Sequence, residues 1–585
     1  MKRVLIANRG EIAVRVIRAC ASHGLESVAV YADSDANTLH VRLADQAYCL
    51  EGRSALETYL NTDKILAAAK ASGADAIHPG YGFLSERADF AQAVEDAGLT
   101  WIGPTPENIA LLGDKVAARR IAEQVGAPLV PGTPGPVTSV EEVRAFADQY
   151  GYPIAIKAAF GGGGRGLKVV YRPEELERRY ESAVSEAVAA FGRGECYVER
   201  FVERPRHVET QILGDGRGRV VVVGTRDCSV QRRHQKVLEE GPAPFLTDDQ
   251  VARLIAGSRA IGQAVNYRGA GTMEFMLGAD GLISFLEVNT RIQVEHPVTE
   301  RTTGVDLIIW QFRIAEGDSL DELPDVVPAQ GHAIEFRINA EDPGRGFLPQ
   351  AGHMTRFDIP GGPFVRVDEG VTGETTISPE FDSMIAKIIV WGNDRAEAIA
   401  RSRQAMKECV IEGIPSLVGF HRRMLSEPGF IATRAEDFGM HTNWIESDCP
   451  WLDELVQPLP PGVTRENIVR EWFEVDGRWV RLGFPAALVG AGPAGVGRST
   501  GGSGGTPGAG GNGTAAGTLT APMNGILARW SVAAGTTVTE GTHLGTLEAM
   551  KMEMPLVSNR AGTFTPLVPD GTPVKEHQPL ATITT

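Results

Sequence analysis

Several stretches of this chain concentrate groups able to act on phosphates and small anions. The first is PIAIK (Pro153–Lys157), followed by AAFGGGGRG and then LKVVY (Leu167–Tyr171). Gly161, Gly162, Gly163, Gly164 and Gly166 carry no Cβ, so backbone N–H groups there can close on phosphate oxygens. Lys157 ends the incoming strand within reach of the same phosphates. A P-loop is excluded, because Leu167-Lys168 follows Gly166 where Lys-Ser/Thr is required, and a strand follows rather than a helix. A strand, glycine loop and second strand read as a lid over a nucleotide, with a plain surface hairpin as the alternative.

The second stretch is GTMEFMLGADGLISFLEVN (Gly271–Asn289). With Ala279-Asp280 as a two-residue turn, Glu274 is expected opposite Phe285 and Thr272 opposite Glu287. Both glutamates then lie diagonally on one face, about 7–8 Å apart at the backbone. Met273, Phe275, Leu277, Leu286 and Val288 form the apolar opposite face. Asn289 adds one more oxygen. Hard oxygen ligands without sulfur or imidazole suit Mg²⁺ or Mn²⁺ bridging phosphates; two unrelated glutamates on a solvated sheet face are the alternative. NTRIQVEHPVTE (Asn289–Glu300) follows, and strand alternation would send Arg291, Gln293 and Glu295 to one side. A guanidinium and an amide beside a carboxylate can hold a small oxyanion and take its proton; a charged turn in water accounts for the same residues. RDCSVQRR leads into His234-Gln235-Lys236, where dense basic residues fit anion contact and solvated charge equally. HPGYGFLSE (His78–Glu86) is a loop after a strand, where parallel sheets place ligands, although His78 alone reads as structural. Finally, Lys551 stands between Met550 and Met552, an unusual setting for a solvated lysine.

These groups need elements to position them. Up to about Gly113, short strands VLIA, VAVY, AIHP and TWIG alternate with helical segments, the first spanning Glu11–Ala21, which predicts a parallel α/β sheet. The turn after VLIA is NRGE with a single glycine, so the topology is Rossmann-like without the dinucleotide fingerprint. Residues 114–445 read as α+β. Between Gly490 and Gly517 thirteen of 28 residues are glycine and Arg498 is the single charge. Such a segment cannot bury enough apolar surface to order itself. As a tether it has an r.m.s. span of roughly 30 Å and reaches about 95 Å when extended. The last 68 residues repeat themselves at a shift of 36: Gly535 meets Gly571, Thr536 meets Thr572, Val538 meets Val574, Leu544 meets Leu580 and Leu547 meets Ile583. A duplicated set of short strands predicts a two-fold symmetric β-sandwich with Lys551 at the crossover hairpin.

Composition narrows the function classes. The 57 Lys+Arg against 74 Asp+Glu leave a net charge of −17, which argues against nucleic-acid or anionic-membrane binding as the main activity. Hydrophobic content of 43% and charged content of 22% are those of an ordinary soluble enzyme. No apolar run approaches the ~20 residues of a membrane span. MKRVLIANRG is too polar for a secretory signal, and Cys20, Cys49, Cys196, Cys228, Cys409 and Cys449 form no CxxC pair. A reduced, cytoplasmic enzyme is expected.

In this order, HPGYGFLSE, KAAFGGGGRG, RDCSVQRRHQK, EVNTRIQVEHPVTE, RINAEDP and EAMKM resemble the biotin-dependent carboxylases. Residues 1–445 are similar to biotin carboxylase, an ATP-grasp enzyme, and 518–585 to the biotin carboxyl carrier. The whole is most similar to α subunits of actinobacterial acetyl/propionyl-CoA carboxylases. The resemblance implies a Rossmann-like domain over 1–113, an ATP-grasp domain over 114–328 with its lid at about 131–204, and a carboxylase C-terminal domain over 329–445. A short connecting region over 446–485, a candidate for subunit docking, the glycine-rich linker over 486–517 and an all-β biotinyl domain complete the chain.

The resemblance also implies residue roles. Lys115 and Lys157 bind ATP phosphates under the glycine lid, while Glu199, His207, Gln231, His234 and Met276 line the adenine and ribose pocket. Glu274 and Glu287, assisted by Asn289, hold two Mg²⁺ or Mn²⁺ ions. Lys236, Arg291, Gln293 and backbone Val294 bind bicarbonate, and Glu295 deprotonates it to attack the γ-phosphate. The resulting carboxyphosphate breaks down to CO₂ and phosphate, Arg337 stabilises the biotin enolate, and Lys551 carries biotin covalently. A biotin protein ligase and a carboxyltransferase β subunit are implied partners, with a homo-oligomeric carboxylase core in a larger assembly. Two departures stand out: Arg87 replaces the family's usual Asn, and the 72 residues 446–517 leave no room for a large docking domain. Other biotin-dependent carboxylases such as 3-methylcrotonyl-CoA carboxylase, other ATP-grasp ligases, and a carrier with an inactive ATP-grasp region are the competing readings.

Overall fold

The computed structural model describes residues 1–158, 167–191, 194–455, 468–475, 478–485, 518–522, 525–549, 552–575 and 578–584. The chain divides into two units, one formed chiefly by Met1–Asp342 and Phe347–Pro450, the other by Trp451–Glu548 and Glu553–Thr585.

The larger unit begins with a five-stranded sheet in the order β3-β2-β1-β4-β5, every pair parallel. Its strands are β1 (Arg3–Ile6), β2 (Glu26–Tyr31), β3 (Gln46–Cys49), β4 (Ala76–His78) and β5 (Thr100–Trp101). Four of them were legible as apolar runs. The edge strand β3, QAYC, alternates between partly buried and exposed residues and gave no such signal. After β1 the chain turns at Gly10, whose φ of 65° is left-handed, into α1 (Gly10–His23). One side of α1, including Ile12, Val16, Ile17 and Cys20, packs in a cluster with Leu307, Ile308 and Phe312. The strand order reverses between β1 and β4, where open parallel sheets place ligands. There Asn8 donates Nδ2 to the carbonyls of Pro79 and Tyr81, both at 2.8 Å, pinning the HPGYG loop. His78 is fully buried, bonded to Gln311 at 3.1 Å, and is structural.

Next come the lid strands β6 (Ile154–Ala158), β7 (Leu167–Val170) and β8 (Cys196–Arg200), a three-stranded antiparallel sheet in the order β7-β6-β8. Residues 159–166, and with them Gly161, Gly162, Gly163, Gly164 and Gly166, lie outside the described residues.

The site is built on an eight-stranded antiparallel sheet. Six of its strands are β9 (Arg206–Asp215), β10 (Val220–Arg232), β11 (Gln235–Gly241), β12 (Arg268–Leu277), β13 (Ile283–Asn289) and β14 (His332–Asn339). The order is β13-β12-β9-β10-β11-β14, then Met384–Gly392 and Val365–Glu369. It runs without a break across residues 328 and 329, because β11 pairs with β14. Strands buried on both faces explain the near-continuous burial of β9, β10 and β12. No helix among the described residues is long and apolar enough to cross a membrane.

His40, His78 and His421 in this unit are fully buried, and burial lowers each to a pKa of about 4. Between pH 6.5 and 4 the unfolded chain takes up protons that the folded chain refuses, so stability falls with pH through that window. The expected slope is about 1.4 kcal/mol per pH unit for each histidine. Urea midpoints followed by circular dichroism at pH 7, 6 and 5 should drop progressively. A midpoint constant over that range would contradict the assignment.

The second unit holds the antiparallel hairpin Ile468–Val475 with Arg478–Pro485 and two four-stranded sheets. One sheet has the order Thr518–Thr520, Pro579–Thr584, Gly562–Pro566, Thr537–Val538; the other has Met552–Val557, His543–Ala549, Gly525–Trp530, Thr572–Val574. The 36-residue shift carries each strand of one sheet to the same place in the other, which is the expected two-fold sandwich. Gly535 and Gly571 have φ of 85° and 75°, and the matched Val538 and Val574, Leu544 and Leu580, Leu547 and Ile583 are all buried. Met550 and Lys551 fall between neighbouring strands of the second sheet and lie outside the described residues, as does the linker 486–517.

Candidate active site

The candidate metal-ligand pair, Glu274 and Glu287, sits on β12 and β13, in a register different from the expected one. Glu274 is directly opposite Glu287, with Thr272 opposite Asn289 and Met273 opposite Val288. Beyond Glu274 the register slips, so that Phe275 faces Phe285. Two features cause this. The turn is longer than Ala279-Asp280, closed by Gly278 N to Leu282 O at 2.9 Å, and Leu286 is the extra residue of a bulge. Leu286 is consequently 39% exposed rather than part of the apolar face, while Met273, Phe275, Leu277 and Val288 are buried. This register sets the two glutamates closer than a diagonal pair, at a Cβ separation of about 4.5–5.5 Å.

Like charges set opposite each other are destabilising unless compensated. Here Glu274 meets Lys236 at 2.9 Å, Gln293 Nε2 at 2.8 Å and His207 Nε2 at 3.1 Å. Glu287 meets Lys115 at 2.7 Å. Lys115 opens the helix Lys115–Gln124, whose cap, Asp114, accepts the backbone N–H groups of Val116 and Ala117. Asn289 accepts Arg291 through Oδ1 at 2.9 Å, and its Nδ2 is buried without a partner. Two carboxylates and an amide oxygen, each already facing a cationic group, form an oxygen donor set that fits Mg²⁺ or Mn²⁺.

Lys236 is the hub. β10 and β11 are joined by a two-residue turn at Arg233 and His234, both with positive φ, so Arg232 pairs with Gln235 and Lys236 enters the sheet. Its Nζ lies 2.7 Å from Glu209, 2.9 Å from Glu274 and 2.6 Å from Glu295. Burial lowers its pKa, but Glu209, Glu274 and Glu295 outweigh burial and hold it well above the ordinary lysine value. His234 itself stays exposed in the turn. His207 hydrogen-bonds Gln231 at 2.7 Å through Nδ1, and half-buried Met276 is its neighbour across β9 and β12. Glu199 on β8 pairs with Lys157, the last residue but one of β6.

Residues 290–295 are not a strand, contrary to the alternation expected for Arg291, Gln293 and Glu295. They turn into the helix His296–Thr303, in which Pro297 offers no N–H to a sheet ladder and His296 Nδ1 bonds Gln293 O at 2.7 Å. The three side chains reach the site by separate routes. Arg291 pairs with Glu86 of the HPGYGFLSE loop at 2.8 Å, Gln293 bonds Glu274, and Glu295 lies between Lys236 and Arg337, the latter at 3.0 Å. Burial raises the Glu295 pKa, but Lys236, Arg337 and Arg226 overcome it and hold the carboxyl well below the usual range. Arg337, on β14, also pairs with Glu239.

Sequence reasoning missed five participants: Glu86, Glu209, Arg226, Glu239 and Lys387. Arg226 is fully buried and donates to Glu209, to Gln211 at 2.9 Å, Thr299 at 2.8 Å and Gln293 at 3.0 Å. A charged residue inside an apolar strand, such as Lys387 between Ala386 and Ile388, was the available signal, since such residues are buried only when paired.

Known proteins resemble this chain over nearly its whole length. Family descriptions match in chain order: biotin carboxylase N-terminal domain over residues 1–109, the ATP binding domain of carbamoyl-phosphate synthase L chain over 114–323, biotin carboxylase C-terminal domain over 335–447, and biotin-requiring enzyme over 517–583. The chain is 52% identical to the biotin-dependent acyl-coenzyme A carboxylase alpha3 subunit of Mycobacterium leprae, over 99% of this chain and 98% of that one. It is 50% identical to the biotin carboxylase of a Nostoc species, over 73% of this chain and 96% of that one. Among solved structures, the biotin carboxylase domain of Hydrogenobacter thermophilus 2-oxoglutarate carboxylase, in complex with MgADP, ADP and bicarbonate, matches with TM-score 0.68 and 43% identity. That likeness covers 77% of this chain and 98% of that one. The chain belongs to the biotin-dependent carboxylases. It is an ATP-grasp ligase joined to its own biotinyl domain. Within the family it is of the acyl-CoA carboxylase α-subunit kind. A carrier with an inactive ATP-grasp region is disfavoured, since Glu274, Glu287, Lys236, Glu295 and Arg337 are all present and connected.

Proposed function

We propose that this chain uses ATP and bicarbonate to carboxylate biotin borne on its own Lys551, for transfer to an acyl-CoA on a separate carboxyltransferase β subunit. The supporting observation is the convergence of Lys236, Glu295 and Arg337 beside the Glu274–Glu287 pair. Lys236, Arg291, Gln293 and the backbone of Val294 supply donors for bicarbonate. Glu295 takes its proton, so that a bicarbonate oxygen bonds the γ-phosphorus as the bond to the ADP oxygen breaks. Carboxyphosphate then yields CO₂ and phosphate. Glu274, Glu287 and Asn289 would hold the divalent ions, whose chemistry is to neutralise phosphate charge. Lys115 and Lys157 bear on the phosphates, and Glu199, His207, Gln231, His234 and Met276 on adenine and ribose. Biotin supplies a ureido nitrogen as carboxyl carrier, and Arg337 stands where charge developing on its carbonyl would be stabilised.

The glycine-rich composition of 486–517 suits a carrier that travels between two centres. We place the enzyme in the cytoplasm, loaded by a biotin protein ligase, with a homo-oligomeric carboxylase core. The test is ATP turnover by the full-length biotinylated chain with and without bicarbonate, alongside incorporation of labelled bicarbonate carbon into protein. Turnover should require bicarbonate and label should appear. Bicarbonate-independent turnover without label would return the chain to the wider ATP-grasp ligases.

A further inference from the structure

Behind the site lies a buried cation that the reaction scheme does not use. Lys387, on the strand Met384–Gly392, is fully buried and sits directly across from Arg337 on β14. Its Nζ donates to the backbone carbonyl of Val294 at 2.7 Å and lies 3.1 Å from Glu11 Oε2 on α1. Glu11 is itself buried and accepts the hydroxyl of Tyr81, in the HPGYGFLSE loop. Asp368, the other cross-strand neighbour of Lys387, is already engaged by Arg366.

A buried ammonium costs several kcal/mol of desolvation even when paired, and an apolar side chain of similar volume often serves packing as well or better. Lysine here does something a methionine could not: it clamps a carbonyl in the segment that presents the base. Val294 precedes Glu295, which caps the helix His296–Thr303 without a side-chain cap of its own. The orientation of this turn therefore rests on a few fixed points, among them the His296 to Gln293 bond and the Lys387 to Val294 bond.

We propose that Lys387 is a positioning residue for carboxylation: by holding the Val294 carbonyl it aims the Glu295 carboxylate between Lys236 and Arg337, and through Glu11 it ties that aim to the Tyr81 loop. This rests on Glu295 acting as the base. Misplacing a reacting group by about 1 Å can cost about 10²-fold, and the loss falls on the step that uses bicarbonate.

The decisive variant is the double substitution Glu11→Gln with Lys387→Met in the full-length biotinylated chain. Removing both charges avoids stranding either one in the interior, which a single substitution at Lys387 would do. The expected result is a drop of about 10–100-fold in kcat/KM for bicarbonate, with KM for ATP within about twofold of wild type. Equal losses for ATP and bicarbonate, a double variant that melts far below wild type, or bicarbonate kinetics within about threefold of wild type would each overturn the proposal. Failure of the base assignment would show separately, as an active Glu295→Gln enzyme.

Discussion

Glu295→Gln is expected to lower bicarbonate-dependent ATP hydrolysis by about 10²–10⁴-fold while KM for ATP changes by less than about threefold. The glutamine keeps the shape and can still accept a hydrogen bond, but it cannot take a proton from bicarbonate. The fold should tolerate the change. Lys236 retains Glu209 and Glu274, and Arg337 retains Glu239, so neither cation is left without a buried partner. Because Lys236, Arg337 and Arg226 hold Glu295 well below the usual carboxylate range, the base is ionised throughout the neutral region. The defect should therefore persist from pH 6 to 9 rather than be repaired at either end. Steady-state kinetics with ATP and bicarbonate varied independently provide the check. A rate within tenfold of wild type would remove Glu295 from the proton transfer and leave it a counter-ion of Lys236.

Lys551→Arg should abolish carboxyl labelling of the chain altogether. Biotin attachment needs an amine that can lose a proton and form an amide, and the guanidinium remains protonated at any working pH. Intact mass after expression with a biotin ligase should gain one biotinyl group in wild type and none in the variant. The variant should nevertheless retain bicarbonate-dependent ATP turnover when free biotin is added, since it leaves Lys236, Glu295 and Arg337 unchanged. Loss of both activities would mean that the substitution damages more than the carrier lysine. A biotinylated variant would move the attachment to another lysine.

Local pattern was enough for those parts of the molecule whose signals are local. Strands β1, β2, β4 and β5 are apolar runs between helices, and the 36-residue repeat predicts the two equivalent sheets. The candidate site was legible in part: Glu274, Glu287 and Glu295 stood out by type and spacing, Lys236 lay in a basic run that fits anion contact and solvated charge equally, and Arg337 entered through the family resemblance; in the structure the five lie close to one another. Composition alone carries the expectation of a glycine-rich tether over 486–517, outside the described residues, because a segment so poor in large apolar side chains has little to bury.

Tertiary structure decided the geometry. Whether Glu274 faces Phe285 or Glu287 depends on a bulge at Leu286 and a turn of five residues, and neither is specified by the alternation of the strand. Residues 290–295 look like a strand by pattern and are a turn, because Pro297 and the His296 to Gln293 bond start a helix there. The continuity of the sheet across residue 328 and the contact of Lys387 with Val294 and Glu11 join segments far apart in the chain. Periodicity reports which face of an element is apolar and is blind to which distant element covers it. Only the folded chain shows that Lys387 bonds the backbone carbonyl of Val294, the residue next to Glu295.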